Sequence, residues 1–454
     1  MEPALTSPID LGRVEHVTKT IEAFVRGNPP STDALFHILQ TDEGRGAVLQ
    51  AGAVGPLVTL LEDGDPEAKS NAAWALASLS EAEEGRGAVL QAGAVGPLVT
   101  LLEDGDPEAK SNAAWALARL SEAEEGRTAV FQAGAIGTLV ALLSNGDPRP
   151  KSNAAWALGR LSEAEEGRAE VLQAGAVGPL VALLQNRDPE VMSHAAGALG
   201  RLSEAEEGRA MVLQAGAIGP LVALLGTEDP ETKLNAAAVI ILLAEEGRAA
   251  LLQAGAVGAL VALLENGDPR PKSNAALALA RLSEAEEGQA GVLQAGAVGP
   301  LVALLENGDT AARSNAAWAL ARLSEAEEGM AVVLQAGAVG ALVALLENGD
   351  PEVKVDAAWA LVRLSEAEEG RAALLQAGAV RPLVALLEDG DPEPKSIAAG
   401  SLARLSEIEE GRAALLQAGA VGALVALLEN GDPEPKSNAA WALARLSETK
   451  EGRC

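Results

Sequence analysis

The stretch QAGAVGPLVTLLEDGDPEAKSNAAWALARLS, from Gln91 to Ser121, is the larger part of one unit of a repeat that returns in close copies along the chain. A glutamine marks each copy, and these are Gln50, Gln91, Gln132, Gln173, Gln214, Gln253, Gln294, Gln335, Gln376 and Gln417. They lie 41 residues apart, except that 39 residues separate Gln214 from Gln253. Ten copies at such a period predict a solenoid, in which each unit buries its apolar faces against its neighbours.

The second copy shows how one unit divides into helices. Residues 83–92 predict a short first helix, and Gly93 follows it where a left-handed residue commonly ends a helix. The second helix has Pro97 near its start and Gly105 just past its end. Apolar residues cover most of its circumference, so we expect it to be almost wholly buried.

The third helix has the clearest start, because Asp106 can cap it and Pro107 suits its first turn. It is predicted to run to about Ser121. Its apolar stripe faces the core and consists of Ala109, Ala113, Leu117 and Leu120. The opposite side carries Asn112, Trp115 and Arg119, which lie one above the next.

The composition limits the classes of partner. Of the 454 residues, 48% are hydrophobic but only 2% are aromatic, so the core must be built from Ala, Leu and Val. The net charge of −31 repels phosphate groups, which argues against nucleic acid and anionic membranes as partners. Gly, Glu and Asp interrupt every hydrophobic stretch, so no membrane insertion is expected.

Catalytic and ligand-binding motifs are not found in the sequence. Its three histidines, His16, His37 and His194, are isolated, and its one cysteine is Cys454. No phosphate-binding loop and no nucleophile elbow occurs. We therefore expect no catalytic residue, no metal and no cofactor. The start of the chain has no secretory signal pattern, which predicts a cytoplasmic or nuclear protein.

The quoted stretch resembles the armadillo repeat, which has a short first helix, a second helix opened by AGA and a third helix with A-A-W/G-A-L. The resemblance covers Thr41 to the end and is closest to vacuole-associated and plant U-box armadillo proteins. It implies an all-α fold, a right-handed α-solenoid of about ten three-helix repeats over residues 41–454. Residues 1–40 would form capping helices. HEAT repeats are the runner-up but lack the QAGA signature.

In armadillo proteins the third helices line a concave groove that holds extended peptides, and a ladder of Trp residues, each with Asn four positions later, cradles them. Here the position of that Asn holds Arg in eight of ten copies, and the recurring Asn stands three residues before the Trp. The predicted partner-binding residues are Asn71, Trp74, Asn112, Trp115, Arg119, Asn153, Trp156, Arg160, Arg201, Arg281, Asn315, Trp318, Arg322, Trp359, Arg363, Asn438, Trp441 and Arg445.

The arginines allow two interpretations. If they are unpaired, they would select acidic or phosphorylated segments of partner proteins. A glutamate also follows the Trp position by seven residues in most copies, for example Glu122. If each Arg pairs with that glutamate, the arginines are structural. The Trp residues could likewise face a partner or pack over neighbouring helices.

The fifth copy lacks the Trp, the Arg and two residues of SEAEE. This could mark a distinct binding segment, a change of curvature or drift in a redundant repeat. The sequence as a whole predicts a non-enzymatic scaffold or adaptor for protein or peptide segments. The alternatives are a nuclear-import-type adaptor for basic peptides, or a targeting module of a ubiquitin ligase or other enzyme.

Overall fold

A computed structural model describes residues 11–27, 29–144, 147–389, 392–430 and 433–448. These segments consist of helices joined by short turns. The chain forms two compact units, residues 1–220 and 221–454.

The first unit holds the two N-terminal helices and the first four copies of the repeat. Its helices are α1 (Leu11–Val25), α2 (Pro29–Leu39), α3 (Asp42–Gln50), α4 (Val54–Asp63), α5 (Pro66–Leu79), α6 (Glu83–Gln91), α7 (Val95–Asp104), α8 (Pro107–Leu120), α9 (Glu124–Gln132), α10 (Ala135–Ser144), α11 (Pro148–Leu161), α12 (Glu165–Gln173), α13 (Val177–Leu183), α14 (Pro189–Leu202) and α15 (Glu206–Gln214). The boundary between the units falls inside α16 (Ile218–Leu224).

The second unit continues with the third helix of the fifth copy and holds the five copies after it. Its helices are α17 (Pro230–Leu243), α18 (Arg248–Gln253), α19 (Ala256–Asn266), α20 (Pro269–Leu282), α21 (Glu286–Gln294), α22 (Val298–Asn307), α23 (Thr310–Leu323), α24 (Glu327–Gln335), α25 (Ala338–Asn348), α26 (Pro351–Leu364), α27 (Glu368–Gln376), α28 (Val380–Asp389), α29 (Pro392–Leu405), α30 (Glu409–Gln417), α31 (Ala420–Asn430) and α32 (Pro433–Ser447).

The helix boundaries predicted for the second copy agree with the structure. Gly93 follows α6 with a φ of 75°, in the left-handed region. The Asp106 side chain accepts a hydrogen bond from the backbone N–H of Ala109 at 2.9 Å, which caps α8. Gly105 ends α7, and a Cβ atom there would lie 2.5 Å from the carbonyl oxygen of Leu101.

The second helices of two copies are shorter because they lack the glycine that stands at position 105 in the second copy. Arg187 and Glu228 occupy its position in the fourth and fifth copies. There α13 and α16 end at Leu183 and Leu224, three residues before the equivalent of Asp104. A residue with a Cβ atom would collide with the preceding turn if the helix ran on, so the chain leaves the helix earlier.

Alanine-rich contacts between third helices form the core of both units. In the first unit α5, α8, α11 and α14 pack in succession, and in the second unit α17, α20, α23, α26, α29 and α32 do so. Ala113, Ala114, Ala116 and Ala118 of α8 are completely buried. Such small side chains allow close approach of neighbouring helices, and each unit is an all-α solenoid.

Near the start of the chain, α1 buries Val17, Ile21 and Phe24. It packs on α2 and α3, and α2 contacts α5 of the first repeat. The two-residue deletion after the fifth copy shortens the next first helix, α18, to 6 residues from the 9 found in α15.

Candidate protein-binding surface

Aromatic side chains of successive helices meet along the third-helix face of the first unit. The rings of Trp74 and Trp115 have centroids 6.3 Å apart, and Phe36 of α2 packs on Trp74 at 4.0 Å. Both tryptophans and Trp156 are half-buried, so part of each indole faces solvent. Phe36, one of only 3 Phe residues in the chain, extends a row that sequence reasoning began at Trp74.

The row continues beyond the third copy with a histidine. His194 stacks on Trp156 with a centroid distance of 5.4 Å and an interplanar angle of 12°. The guanidinium of Arg119 lies over the same indole, 4.7 Å from its centroid. Two flat groups therefore hold Trp156 in place, as cation–π and stacking contacts do elsewhere.

In the second unit the predicted tryptophans are also accessible. Trp318 and Trp359 are half-buried, and Trp441 is 42% exposed. Arg281 lies over the Trp318 ring at 4.9 Å, and Arg363 lies over Trp359 at 4.6 Å. None of the six indoles is enclosed between modules in the described structure, so their geometry allows contact with a partner.

The recurring asparagines connect successive third helices. The side-chain amide of Asn112 donates to the carbonyl oxygen of Ser70 at 3.2 Å and to its hydroxyl oxygen at 3.1 Å. Asn153 and Asn315 repeat both contacts with the serine 42 residues earlier. The side-chain nitrogens of these three asparagines are therefore used inside the array, and their side-chain oxygens are the atoms suited to a partner backbone.

Other copies replace this asparagine with different chemistry. His194 Nδ1 lies 2.8 Å from Ser152 Oγ, and the hydroxyl of Ser314 donates to the Asp356 carboxylate. Burial raises the pKa of Asp356 above its ordinary value, although the hydrogen bond from Ser314 opposes the shift. The copy with Ile397 has Val355 at the serine position, so an apolar pair replaces a polar one.

The seven predicted arginines are ion-paired with the glutamate three residues later. The N–O distances lie between 2.8 and 3.5 Å, and the arginines are Arg119, Arg160, Arg201, Arg281, Arg322, Arg363 and Arg445. Of the two interpretations that the sequence allows, these contacts favour structural arginines because each guanidinium has a carboxylate partner in its own copy. Glu366 differs in that it is shared almost equally by Arg363 and Arg404 of the next copy. The glutamates follow the helix end rather than continuing the helix, since α8 ends at Leu120.

A second row of arginines, which sequence reasoning missed, holds the same glutamates. Arg86 of α6 donates to the carbonyl oxygens of Ser80 and Glu81 at the end of α5, each at 3.1 Å, and to Glu122 at 2.9 Å. Arg127 does the same one copy later. The EEGR motif, found in seven of the ten copies, was the available signal, because its Arg recurs with the Glu.

A groove of about 860 Å³ runs along the third-helix face of the first unit, with Phe36, Asn71, Trp74 and Asn112 in its wall. The charged residues that line it are Asp106, Glu108, Asp147, Arg149 and Asp188. Four carboxylates and one guanidinium give this groove a negatively charged lining, which favours a positively charged ligand.

In the described part of the chain, no group of three or more His, Cys, Asp and Glu side chains could hold a metal ion. Within the same residues no single helix is long and apolar enough to cross a membrane, whereas four pairs of helices bent by 75–86° would qualify jointly by length and composition.

Comparison with known proteins agrees with this architecture. The Armadillo/beta-catenin-like repeat family matches residues 41–81, 83–122, 124–163, 206–240, 245–284, 292–325, 330–366 and 409–448. A HEAT-like repeat matches residues 148–202. No curated protein sequence matches the chain.

One solved structure that resembles the chain is a crystal structure described as an engineered protein, a target of the Northeast Structural Genomics Consortium. It is 34% identical, has a TM-score of 0.80, and the alignment covers 87% of this chain and 98% of that one. The armadillo matches extend over more than half of the sequence. The chain therefore belongs to the armadillo repeat family.

Proposed function

We propose that this protein is a non-enzymatic scaffold that binds segments of partner proteins along the third helices of its repeats. The observation that carries the proposal is the row of half-exposed indoles, from Trp74 to Trp156, beside the groove of the first unit. Tryptophan gives a large contact area at low entropic cost, and interface hot spots are enriched in it. Armadillo repeats generally bind protein partners, which supports the same conclusion.

The charge of the bound segment follows from the groove lining. The guanidinium groups of Arg119 and Arg160 pair with Glu122 and Glu163, whereas the carboxylates of Asp106, Glu108, Asp147 and Asp188 border the groove. We therefore propose that the first unit prefers extended segments rich in Lys and Arg. A preference for acidic or phosphorylated segments, which the arginine row suggested, is the competing prediction.

Fluorescence anisotropy with labelled peptides tests this proposal. A lysine-rich peptide should bind at low salt and weaken as salt is raised, whereas acidic and phosphoserine peptides of equal length should bind at least tenfold more weakly. Trp115→Ala should lower the affinity for the basic peptide by about tenfold or more. Val332→Ala, which changes an exposed apolar residue of a first helix, is the control. The proposal would be refuted if Trp115→Ala bound the basic peptide as tightly as the wild-type protein does, or if the wild-type protein preferred the acidic peptide.

A scaffold of this kind could serve as an adaptor in nuclear import or as the substrate-binding part of a ubiquitin ligase. We also propose that the protein is cytoplasmic or nuclear. Fluorescence microscopy of the tagged chain would test this location, and fluorescence in the medium or in another organelle would contradict it.

A further inference from the structure

The ninth copy contains a pocket at the place where six other copies carry an indole. Its third helix, α29, has Gly400 at the Trp position and lies between α26 and α32. The pocket measures about 330 Å³, and Trp359 and Trp441 of the flanking copies form its sides. A Cβ atom on Gly400 would meet only the amide nitrogen of Asn438, at 3.6 Å, so the space above the glycine is open.

The base of this pocket is apolar because two linked positions have changed together. Ile397 stands where most copies have the asparagine, and it lines the pocket beside Val362. The serine that would accept from that asparagine is Val355 here, 42 residues earlier. The fold thus forgoes one inter-repeat hydrogen bond and gains an apolar surface next to two indoles, which suits an aromatic side chain.

The rim of the pocket is positively charged. Arg363 and Arg404 share one carboxylate of the pocket lining, Glu366, at 3.3 and 3.2 Å, and Glu325 outside the lining lies 3.8 Å from Arg363. In most copies an arginine of the first helix also binds the equivalent glutamate, but here Met330 stands at the position of that arginine. Arg404 pairs with Glu366 of the preceding copy at 3.2 Å, closer than the 3.9 and 3.7 Å at which Arg119 and Arg201 approach the equivalent glutamates, while Arg371 pairs with Glu407.

Together these features point to one kind of occupant. Resting on the proposed scaffold function, we propose that the Gly400 pocket binds an aromatic side chain of a partner protein that is flanked by acidic residues. The aromatic ring takes the place of the missing indole between Trp359 and Trp441. The neighbouring carboxylates lie against Arg363 and Arg404, because two guanidinium groups and one carboxylate leave the pocket lining with a net positive charge.

The probe is a fluorescein-labelled heptapeptide with a central tryptophan between pairs of aspartates. Gly400→Trp should weaken its binding at least tenfold, since the new indole fills the pocket. Ala238→Trp, which adds an indole to another Trp-free copy, should leave binding within about twofold. A melting curve for each variant shows whether it still folds.

Two further measurements test the charge of the occupant. Replacement of the four aspartates by lysines should weaken binding at least tenfold, and so should replacement of the tryptophan by alanine. Arg404→Gln keeps the shape of the pocket and should lower the affinity for the aspartate peptide only. This loss of affinity should become smaller as the salt concentration rises. Unchanged affinity in Gly400→Trp, or tighter binding of the lysine peptide, would overturn the inference.

This experiment is separate from the test of the proposed function. Trp115 lies in the first unit and the Gly400 pocket in the second. If Trp115→Ala abolishes basic-peptide binding but the aspartate peptide never binds, the scaffold proposal stands and the pocket inference fails. If only Gly400→Trp has an effect, the pocket inference stands and the first-unit groove is not a binding surface.

Discussion

The guanidinium of Arg119 lies 4.7 Å from the centre of the Trp156 ring, although the two residues belong to successive repeats. The same Arg119 pairs with Glu122 of its own repeat at 2.9 Å. A single side chain therefore joins the charged row to the aromatic row, and it fixes an indole that we propose to contact partners.

We expect a double-mutant cycle on Arg119→Gln and Trp156→Ala to show a coupling energy of about 0.5–1 kcal/mol, because the cation–π contact at a partly exposed site has that size. Unfolding by urea measures it. Arg160→Gln is the matched control, since Gly197 occupies the Trp position of the following copy. Zero coupling between Arg119 and Trp156 would show that the contact contributes nothing to stability.

Asn153→Ala should lower the free energy of unfolding by about 1–3 kcal/mol, because it removes two hydrogen bonds to Ser111, a buried residue. The double variant Ser111→Val/Asn153→Ile copies the apolar pair Val355/Ile397. It should recover at least half of the loss, since both polar partners are then replaced together. Denaturant titration of the three variants decides this, and a double variant less stable than Asn153→Ala would contradict it.

Asp356 makes the stability depend on pH in a defined direction. Burial raises the pKa of its carboxyl, and Glu352 and Glu393 add to the rise while Ser314 opposes it. The folded state then holds the proton more tightly than the unfolded chain, so ionised Asp356 destabilises the fold at neutral pH. This cost disappears as the pH falls below the unfolded value near 3.8.

Asp356→Asn should accordingly raise the melting temperature at pH 7, and the gain over wild type should shrink toward pH 3.5. The converse change in the preceding copy, Asn315→Asp, should lower the melting temperature at pH 7 and lose that effect in acid. Calorimetry at both pH values checks the pair. A gain for Asp356→Asn that is larger at pH 3.5 than at pH 7 would reverse the assigned sign.

Alanine substitutions at two glycines of one copy should change the stability of the fold in opposite directions. Gly93 has a φ of 75°, so Gly93→Ala should cost about 1–2 kcal/mol of stability. Gly87 lies inside α6, and a Cβ atom added there would meet nothing within 4 Å, so Gly87→Ala should stabilise by about 0.5–1 kcal/mol. Thermal unfolding of the two variants measures the difference, and equal effects would argue against the left-handed conformation of Gly93.

The sequence alone determined the repeat and its helices, because those signals are local. The Asp106 cap, Pro107 and the left-handed Gly93 each act within one or two turns, so the bounds of α6, α7 and α8 could be predicted. The sequence also identified the side of the third helix that carries Trp115. It did not reveal the division at residue 220, which follows from how the copies pack. The short helices α13 and α16 did have a local signal, Arg187 and Glu228 in place of the glycine, which sequence reasoning did not use.

Tertiary structure decided what the polar side chains do. Asn112 binds a serine 42 residues away and Arg86 binds a glutamate 36 residues away, so both contacts depend on how one copy lies against the next. Periodicity places such residues on a common face, but only distances show whether a guanidinium is neutralised or available. For the same reason the Gly400 pocket became visible only when helices from three copies were assembled, since its walls come from residues separated by a full repeat or more.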